Sequence, residues 1–253
     1  MIYENLDFRN RYISKRIIKG EAPVWVLPLG QKNRGLYMNQ KITIAINREY
    51  GSGGRTIGEM IAKELGIHYY DKELVKLAAE DSGINEALFN KALSEFKGTP
   101  IFSLGHDIYD GKVLSPNDKD YTSPENLFAC QAKVIRDLSE RESCVVIGHG
   151  ACHALKDRSN VVRVFVHAPD DFLLKQARLR LSMSDKELEK YVEKENKRRS
   201  EYFYYYTGEK WDDAHNYDLC LESSKLGFEK CCEIIKGYMK VRFDGLDFET
   251  GEF

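Results

Sequence analysis

The sequence of 253 residues lacks any apolar run long enough to cross a bilayer. Its first residues, MIYENLDFRNRYISKR, also lack the apolar middle segment of a signal peptide. These two absences predict a cytoplasmic protein without a membrane partner. Hydrophobic residues make up 42% of the chain, which is enough to bury a full core.

An excess of basic charge is also missing. The 38 Lys and Arg residues are balanced by 40 Asp and Glu residues, and the formal net charge is −2 at pH 7. Proteins that bind the phosphate backbone of nucleic acids carry a basic surface field, so this balance predicts that nucleic acid is not a partner. Composition leaves the oligomeric state open.

The cysteines lack the spacing of a disulfide or zinc framework. None forms a C-x-x-C pair and most lie in apolar stretches, so we expect reduced, buried thiols. The six are Cys130, Cys144, Cys152, Cys220, Cys231 and Cys232. A metal site in CVVIGHGACH is the alternative, with Cys144, His149, Cys152 and His153 as ligands. Because Cys144 begins the pattern of a strand, whose side chains alternate, we do not expect these four to converge.

The organisation of the chain changes at residue 41. Residues 1–40 show no clear period, and we interpret them as an N-terminal extension of uncertain structure. In residues 41–253, short apolar runs alternate with amphipathic stretches. Such alternation predicts a single α/β domain with a parallel sheet covered on both faces, and with ligands at the carboxyl ends of its strands.

Strands and helices follow from composition and period. Buried strands are predicted at 42–47, 67–71, 143–148, 160–168 and 217–223. Helices are predicted at 55–65, 72–80, 85–96, 123–141, 184–206 and 227–241. Ser123, followed by Pro124, is expected to cap one helix, and Ser184 with Glu187 to form a capping box on the longest. The segment 97–121 is rich in Gly, Pro, Asp and Ser, which predicts a long loop.

The segment NREYGSGGRTIG joins the first domain strand to the first helix, where an anion site is physically expected. Its glycines allow positive φ and let backbone N–H groups approach a phosphate. The predicted phosphate-binding residues are Arg48, Gly51, Ser52, Gly53, Gly54, Arg55 and Thr56. The alternative is a glycine-rich turn without a ligand, but the cluster of glycines, arginines and a hydroxyl favours phosphate.

This segment departs twice from the P-loop pattern G-x-x-x-x-G-K-[ST]. Arg55 replaces the lysine, and Glu49 stands at the first glycine. The first exchange is not neutral, because arginine offers a planar fork instead of a compact point charge. Thr56 stands where a magnesium-binding hydroxyl belongs.

The stretch ITIAINREYGSGGRTIGEMIAKELGIHYYDKEL resembles the cytidylate-kinase-like family of the P-loop nucleoside-monophosphate kinases, which carries R-E-[FY]-G-S-G-G-R at this position. Similarity continues through VVIGHGACHALKD, VVRVFVHAPDD and EYFYYYTGEKWDDAHNYDLCLESS. The resemblance implies a three-layer P-loop NTPase fold with a five-stranded parallel sheet, a helical insertion and a helical lid. The implied reaction is Mg²⁺-dependent transfer from ATP to a nucleoside monophosphate, CMP or dCMP by analogy.

The resemblance also implies roles for single residues. Arg55 and Arg199 would be catalytic, Thr56 would bind the metal, and Asp71 would contact the acceptor. The implied lid cations are Arg178 and Arg180 on one helix, and Lys197, Arg198 and Arg199 on the next. A plain helix N-cap is the alternative for Asp71, and a solvated helix face is the alternative for the lid cations.

Three departures weaken the enzymatic interpretation. His149 stands where the family has an acceptor-phosphate arginine, and Leu173 and Gln176 stand where relatives commonly place arginines. If His149 binds the acceptor in place of that arginine, we expect it to gain charge as the pH falls from about 8 to 6. Each lost charge-assisted contact is worth about 1.5–3 kcal/mol. Two hypotheses therefore stand: a phosphotransferase acting on a small phosphorylated acceptor, and a regulatory protein that binds nucleotide with little catalysis.

The run Tyr202–Tyr206 is an unusual aromatic block. Such a block can stack on a base, but it more often packs a helix end onto a core, and we favour packing. No role is predicted for the following Trp211 and Asp212.

Overall fold

The computed structural model describes residues 13–14, 25–26, 41–94 and 111–243. The chain divides into two compact units, Met1–Arg34 and Gly35–Phe253. In the first unit, strand β1 (Ile13–Ser14) pairs antiparallel with β2 (Trp25–Val26). Most of the extension predicted at 1–40, the helix end at 95–96, the loop section 97–110 and the final residues 244–253 lie outside the described residues.

The second unit is built on a five-stranded parallel sheet. Its strands are β3 (Thr43–Arg48), β4 (His68–Tyr70), β5 (Cys144–Ile147), β6 (Val161–His167) and β7 (Leu219–Glu222). They lie in the order β4-β5-β3-β6-β7, so β3 is central. The first five residues of β3 are buried, as its unbroken apolar run predicts.

Helices cover both faces of this sheet. They are α1 (Gly54–Leu65), α2 (Glu73–Ser82), α3 (Glu86–Ser94), α4 (Pro124–Arg141), α5 (Ala151–Ala154), α6 (Asp170–Arg178), α7 (Asp185–Thr207), α8 (Ser223–Leu226) and α9 (Phe228–Arg242), with a 3-10 helix at Ala214–Asn216. Buried side chains of α1 and α9 pack on one face, and those of α2, α4, α5 and the end of α7 on the other. The predicted three-layer α/β fold is confirmed, with α2 and α3 as the insertion and α6 and α7 as the lid region.

Two helix starts follow their predicted capping chemistry. The Ser123 side chain accepts a hydrogen bond from the Asn126 backbone N–H at 3.2 Å, and Pro124 is the first residue of α4. Ser184 and Glu187 form the predicted capping box at the start of α7.

The aromatic block packs at the end of α7. Tyr202, Phe203 and Tyr206 are buried, and the Tyr206 ring stacks on Phe128 with centroids 4.5 Å apart. The packing interpretation is therefore confirmed for these three, whereas Tyr204 is 48% exposed. The ring of Trp211, for which no role is predicted, is buried edge-on against Phe165.

The cysteines are all free thiols, and five of them are buried. Cys220 is exposed, which corrects the expectation of burial: it lies on β7, the strand at one edge of the sheet. Among the residues that the structure describes, no helix combines the length and the apolarity needed to cross a membrane.

Candidate active site

The glycine loop lies at the carboxyl end of β3 and leads into α1. Gly51 and Gly53 have φ of +89° and +82°, a conformation that favours glycine. Gly53 is the N-cap of α1, no side chain caps this helix, and its first turn contains no acidic residue. The first N–H groups of α1 and its positive dipole end therefore point at the loop, as an anion site requires.

The loop is fixed by hydrogen bonds from within and from β6 and α8. The buried Ser52 hydroxyl donates to the Glu49 carbonyl oxygen at 3.0 Å, and the Ser223 hydroxyl donates to the Ser52 carbonyl oxygen at 2.7 Å. The Glu49 carboxylate accepts from the Ala168 N–H at 3.0 Å, beside the end of β6. Glu49, which departs from the P-loop pattern, is thus a structural anchor, and burial raises the pKa of its carboxyl group.

Leu173 packs beneath this loop. Its side chain is 1% exposed and belongs to an apolar cluster with Leu188 and Val192 on α7. A Cβ at Gly51 would overlap the Leu173 carbonyl oxygen and lie 2.9 Å from its Cα. Leu173, which stands where relatives commonly place an arginine, therefore has a packing role. A charged side chain that pointed into this cluster would be buried. Gln176, on the same helix, is partly exposed.

Arg55 and Asp71 form an ion pair across the site. The Arg55 side chain is 39% exposed, and that of Asp71 is 11% exposed. Lys72, not Asp71, occupies the N-cap position of α2, so the N-cap alternative for Asp71 does not describe this structure. The carboxylate predicted to meet the acceptor instead neutralises the arginine predicted to meet the donor phosphates.

Thr56 lies in the first turn of α1 and accepts a hydrogen bond from an Arg180 guanidinium nitrogen at 3.3 Å. Arg180 follows the end of α6 at Arg178, which corrects its predicted place on that helix. The Thr56 hydroxyl fits a Mg²⁺ ion that arrives with nucleotide phosphates, because Mg²⁺ takes few protein ligands and keeps several waters. Arg180 would have to release this hydroxyl first.

The three cations predicted on α7 have different partners. Arg199 reaches the sheet: its Nη1 donates to the Arg48 carbonyl oxygen at 2.9 Å, and its guanidinium lies 5.5 Å from the Tyr50 ring centroid. Arg198 joins α7 to α3 by donating to the Leu93 carbonyl oxygen at 2.7 Å. Lys197 is exposed and lies 3.9 Å from a Glu201 carboxylate oxygen.

Arg178 also points away from the loop, since it pairs with Asp185 at the exposed start of α7. The structure thus brings Arg180 and Arg199 of the predicted lid cations onto the glycine loop and its strand. It places Arg178 and Lys197 on the surface.

The arginines at this edge act on one another electrostatically. Burial lowers the pKa of Arg48; Asp71 opposes this effect, whereas Arg55 and Arg198 add to it. Burial and Arg48 likewise lower the pKa of Arg199. Such mutual repulsion is relieved by an anion, so the electrostatics of the cluster agree with phosphate binding.

His149 lies at the carboxyl end of β5 with φ of +53°. Its Nδ1 is 2.9 Å from the Gln131 side-chain oxygen. Burial and the positive charge of Arg48 lower the pKa of His149 to about 4. We expect a histidine at this position to gain charge between pH 8 and 6; in this structure the imidazole is neutral over that range, because it is buried and lies beside Arg48.

The four side chains of the alternative metal site go to different partners. His149 contacts Gln131, and His153 contacts Glu209 at 3.0 Å. The Cys152 thiol donates to a carbonyl oxygen of β3, and the Cys144 thiol contacts a threonine side chain of β3. This arrangement agrees with the expectation that alternating strand residues do not converge.

Sequence reasoning missed several polar supports of the site. Gln131 is 2% exposed on α4, and its only sequence signal is a polar residue on a buried helix face. The Asn196 side-chain oxygen accepts from the Tyr50 N–H at 2.6 Å, and Glu195 holds Arg198 at 2.9 Å. These two lie in a strongly charged helix, where nothing distinguishes them from surface residues.

The sheet order, the glycine loop and the surrounding arginines define a P-loop protein of kinase type. The model of the cytidylate kinase-like family matches residues 43–225. The chain therefore belongs to the cytidylate kinase-like family, whose members are kinase-like phosphotransferases.

Solved structures to which the chain is similar include an uncharacterized protein from Eubacterium ventriosum ATCC 27560, at 25% identity and a TM-score of 0.57, covering 79% of this chain and 98% of that one. Shikimate kinase from Bacteroides thetaiotaomicron is 14% identical with a TM-score of 0.45, covering 78% and 98% of the two chains. Deoxyadenosine kinase from M. mycoides is 16% identical with a TM-score of 0.40, covering 79% and 100%. No curated protein matches the chain.

Proposed function

We propose that this protein transfers the γ-phosphoryl group of ATP to a nucleoside monophosphate, with CMP or dCMP as the acceptor. The observation that carries the proposal is the clustering of Arg48, Arg55 and Arg199 around the glycine loop and the carboxyl end of β3, beside the uncapped start of α1. Phosphoryl transfer needs little covalent chemistry from the protein, and depends on positioning and on neutralising spread negative charge. A cation cluster at a glycine loop supplies both.

The donor phosphates are assigned to the loop. The N–H groups at the start of α1 hold them, and Arg55 exchanges Asp71 for phosphate oxygens. The Thr56 hydroxyl, which accepts from Arg180 in this structure, would hold the metal. Mg²⁺ held there would help to neutralise the charge of the donor phosphates.

The acceptor is assigned to the edge of the sheet formed by β4 and β5, where Asp71 and His149 lie. Arg199 approaches from α7 and stabilises the charge of the transferred group. Closure of α6 and α7 over the loop would exclude water during transfer. CMP and dCMP are chosen on family membership.

The test is ADP release by the full chain with ATP and Mg²⁺, against CMP, dCMP, UMP, AMP and GMP. We expect release with CMP or dCMP. Arg55→Met should weaken ATP binding by about tenfold to about 100-fold, the value of one charge-assisted contact. The matched control is Arg141→Met, because Arg141 is exposed before the amino end of β5, whereas the site lies at the carboxyl ends of the strands. Equal ATP affinity in Arg55→Met and wild type would contradict the assignment.

The second candidate is a regulatory protein that binds nucleotide without transfer. It is favoured by the buried Leu173 and the neutral His149 at positions where relatives place arginines. ATP binding without ADP release for any acceptor of the panel would support this function and exclude the first.

A further inference from the structure

Arg48 turns toward the neighbouring strand, β5. The residue ends β3, and its Cβ and Cγ lie against Gly54, where an added Cβ would be 3.1 Å from the Arg48 Cγ. The guanidinium group lies over Gly148, at the end of β5. A Cβ at Gly148 would be 3.3 Å from the Arg48 Cζ and would overlap its Nη1. Glycine at position 148 therefore makes room for this arginine.

The Arg48 guanidinium makes no hydrogen bond or ion pair within the described part of the chain, although Asp71 acts on it electrostatically. Its neighbours Arg55 and Arg199 do have acceptors, namely the Asp71 carboxylate and the Arg48 carbonyl oxygen. A partly buried guanidinium beside other arginines is unfavourable unless an anion is close to it. Arg48 is thus prepared for a negatively charged ligand.

The position of this guanidinium indicates which phosphate it meets. β5 lies between β3 and β4, so Gly148 and His149 lie on the same side of β3 as Asp71. Thr56 and the start of α1 instead follow the glycine loop itself. The family arginine that this chain lacks would follow Gly148, and Arg48 supplies a guanidinium group to that place from the adjacent strand.

We propose that Arg48 binds the phosphate group of the acceptor monophosphate and replaces the arginine that is absent at position 149. This inference rests on the proposed function, and it reassigns Arg48 from the donor phosphates to the acceptor. It also explains how a chain with a neutral His149 holds a phosphorylated acceptor. Specificity for the monophosphate over the free nucleoside follows from the planar fork of Arg48.

The test is calorimetric titration of the full chain with CMP, with cytidine and, separately, with ATP. Arg48→Gln should raise the dissociation constant of CMP at least tenfold, change that of cytidine less than twofold, and change that of ATP less than threefold. Arg141→Gln, before the amino end of β5 and away from the carboxyl ends of the strands, should change none of the three. An Arg48→Gln protein that loses ATP affinity as strongly as CMP affinity, or that keeps its CMP affinity, would overturn the proposal.

Two further variants distinguish the loss of a phosphate contact in Arg48→Gln from misfolding of that variant. Arg48→Lys keeps the charge without the fork and should give a CMP affinity between wild type and Arg48→Gln. The double variant Arg48→Gln with His149→Arg moves the arginine to the family position and should recover CMP affinity at least threefold over Arg48→Gln. A double variant no better than Arg48→Gln would show that the two positions do not serve the same phosphate.

Binding and turnover separate this inference from the proposed function. Wild type that binds CMP more tightly than cytidine but releases no ADP would contradict the transfer reaction, while the Arg48 titrations would still decide the inference. Wild type that transfers phosphate, with an Arg48→Gln variant of unchanged CMP affinity, would contradict the inference alone. If none of CMP, dCMP, UMP, AMP and GMP binds, both are wrong.

Discussion

Gly51 offers a direct test of how the glycine loop is built. A Cβ at this position would overlap the Leu173 carbonyl oxygen, and Leu173 lies in α6 with its side chain buried. Backbone atoms of a packed helix cannot move aside as a flexible side chain can. Gly51→Ala should therefore displace the loop from α6, and destabilise both the fold and the phosphate site.

Two costs contribute to the expected loss. Gly51 has φ of +89°, and left-handed backbone costs a residue with a Cβ about 1–2 kcal/mol. Overpacking against a fixed neighbour costs about 1–3 kcal/mol more. The free energy of unfolding should thus fall by about 2–5 kcal/mol, and ATP affinity should fall with it, because the first N–H groups of α1 lose their alignment.

Gly83→Ala is the matched control. Gly83 follows α2 with φ of +74°, and nothing lies within 4 Å of the position of its Cβ. It therefore carries the first cost without the second. Urea unfolding compares the two variants through their midpoints at constant m-value. If Gly51→Ala is destabilised no more than Gly83→Ala, the packing of the loop on Leu173 is not as described.

Two further predictions concern ion pairs. Asp71→Asn should tighten ATP binding about twofold to about fivefold by calorimetry, because it frees Arg55 from a partly exposed pair worth up to about 1 kcal/mol; weaker binding would contradict this view. The hydrogen bond to Glu142 raises the pKa of His68, so its contribution to stability is complete below about pH 6.5 and is lost as pH rises through the folded pKa. Although burial raises the pKa of Glu142, hydrogen bonds from His68 and Tyr70 lower it overall, so its contribution is present above about pH 4.5 and is lost in acid. Unfolding midpoints should therefore fall from pH 6 to 8 in wild type and fall less in His68→Gln, and parallel profiles would refute the pairing.

The sequence predicts those features of this fold that depend on local pattern. β3 is an unbroken apolar run, and the glycines after it permit positive φ, so both strand and loop are visible without the structure. The caps at Ser123 and Ser184 follow from residues within one turn of each helix start. The family pattern places these elements in a known order.

Features that depend on pairing distant segments are not predictable in this way. Asp71 follows the end of β4, and Arg55 lies at the start of α1. The fold brings these two points together in an ion pair, which no spacing in the sequence reveals. The pKa of His149 is lowered by burial and by Arg48, which ends β3, far earlier in the chain, and lies beside it. Cys220 resembles the other cysteines in its apolar run, but its position on an edge strand exposes it.

The contacts of the site arginines suggest an order of binding. Arg55 has the Asp71 carboxylate, Arg180 has the Thr56 hydroxyl, and Arg199 has the carbonyl oxygen of Arg48. A phosphate that binds Arg55 competes with the Asp71 carboxylate, and one that binds Arg180 or Arg199 shares the guanidinium group with an oxygen of the protein. A phosphate at Arg48 replaces none among the described residues, and it also weakens the repulsion that Arg48 exerts on Arg199. Under the proposed assignments, the acceptor monophosphate is therefore the ligand that the site would take with the least rearrangement, and ATP is the ligand whose binding would require Arg55 and Arg180 to move.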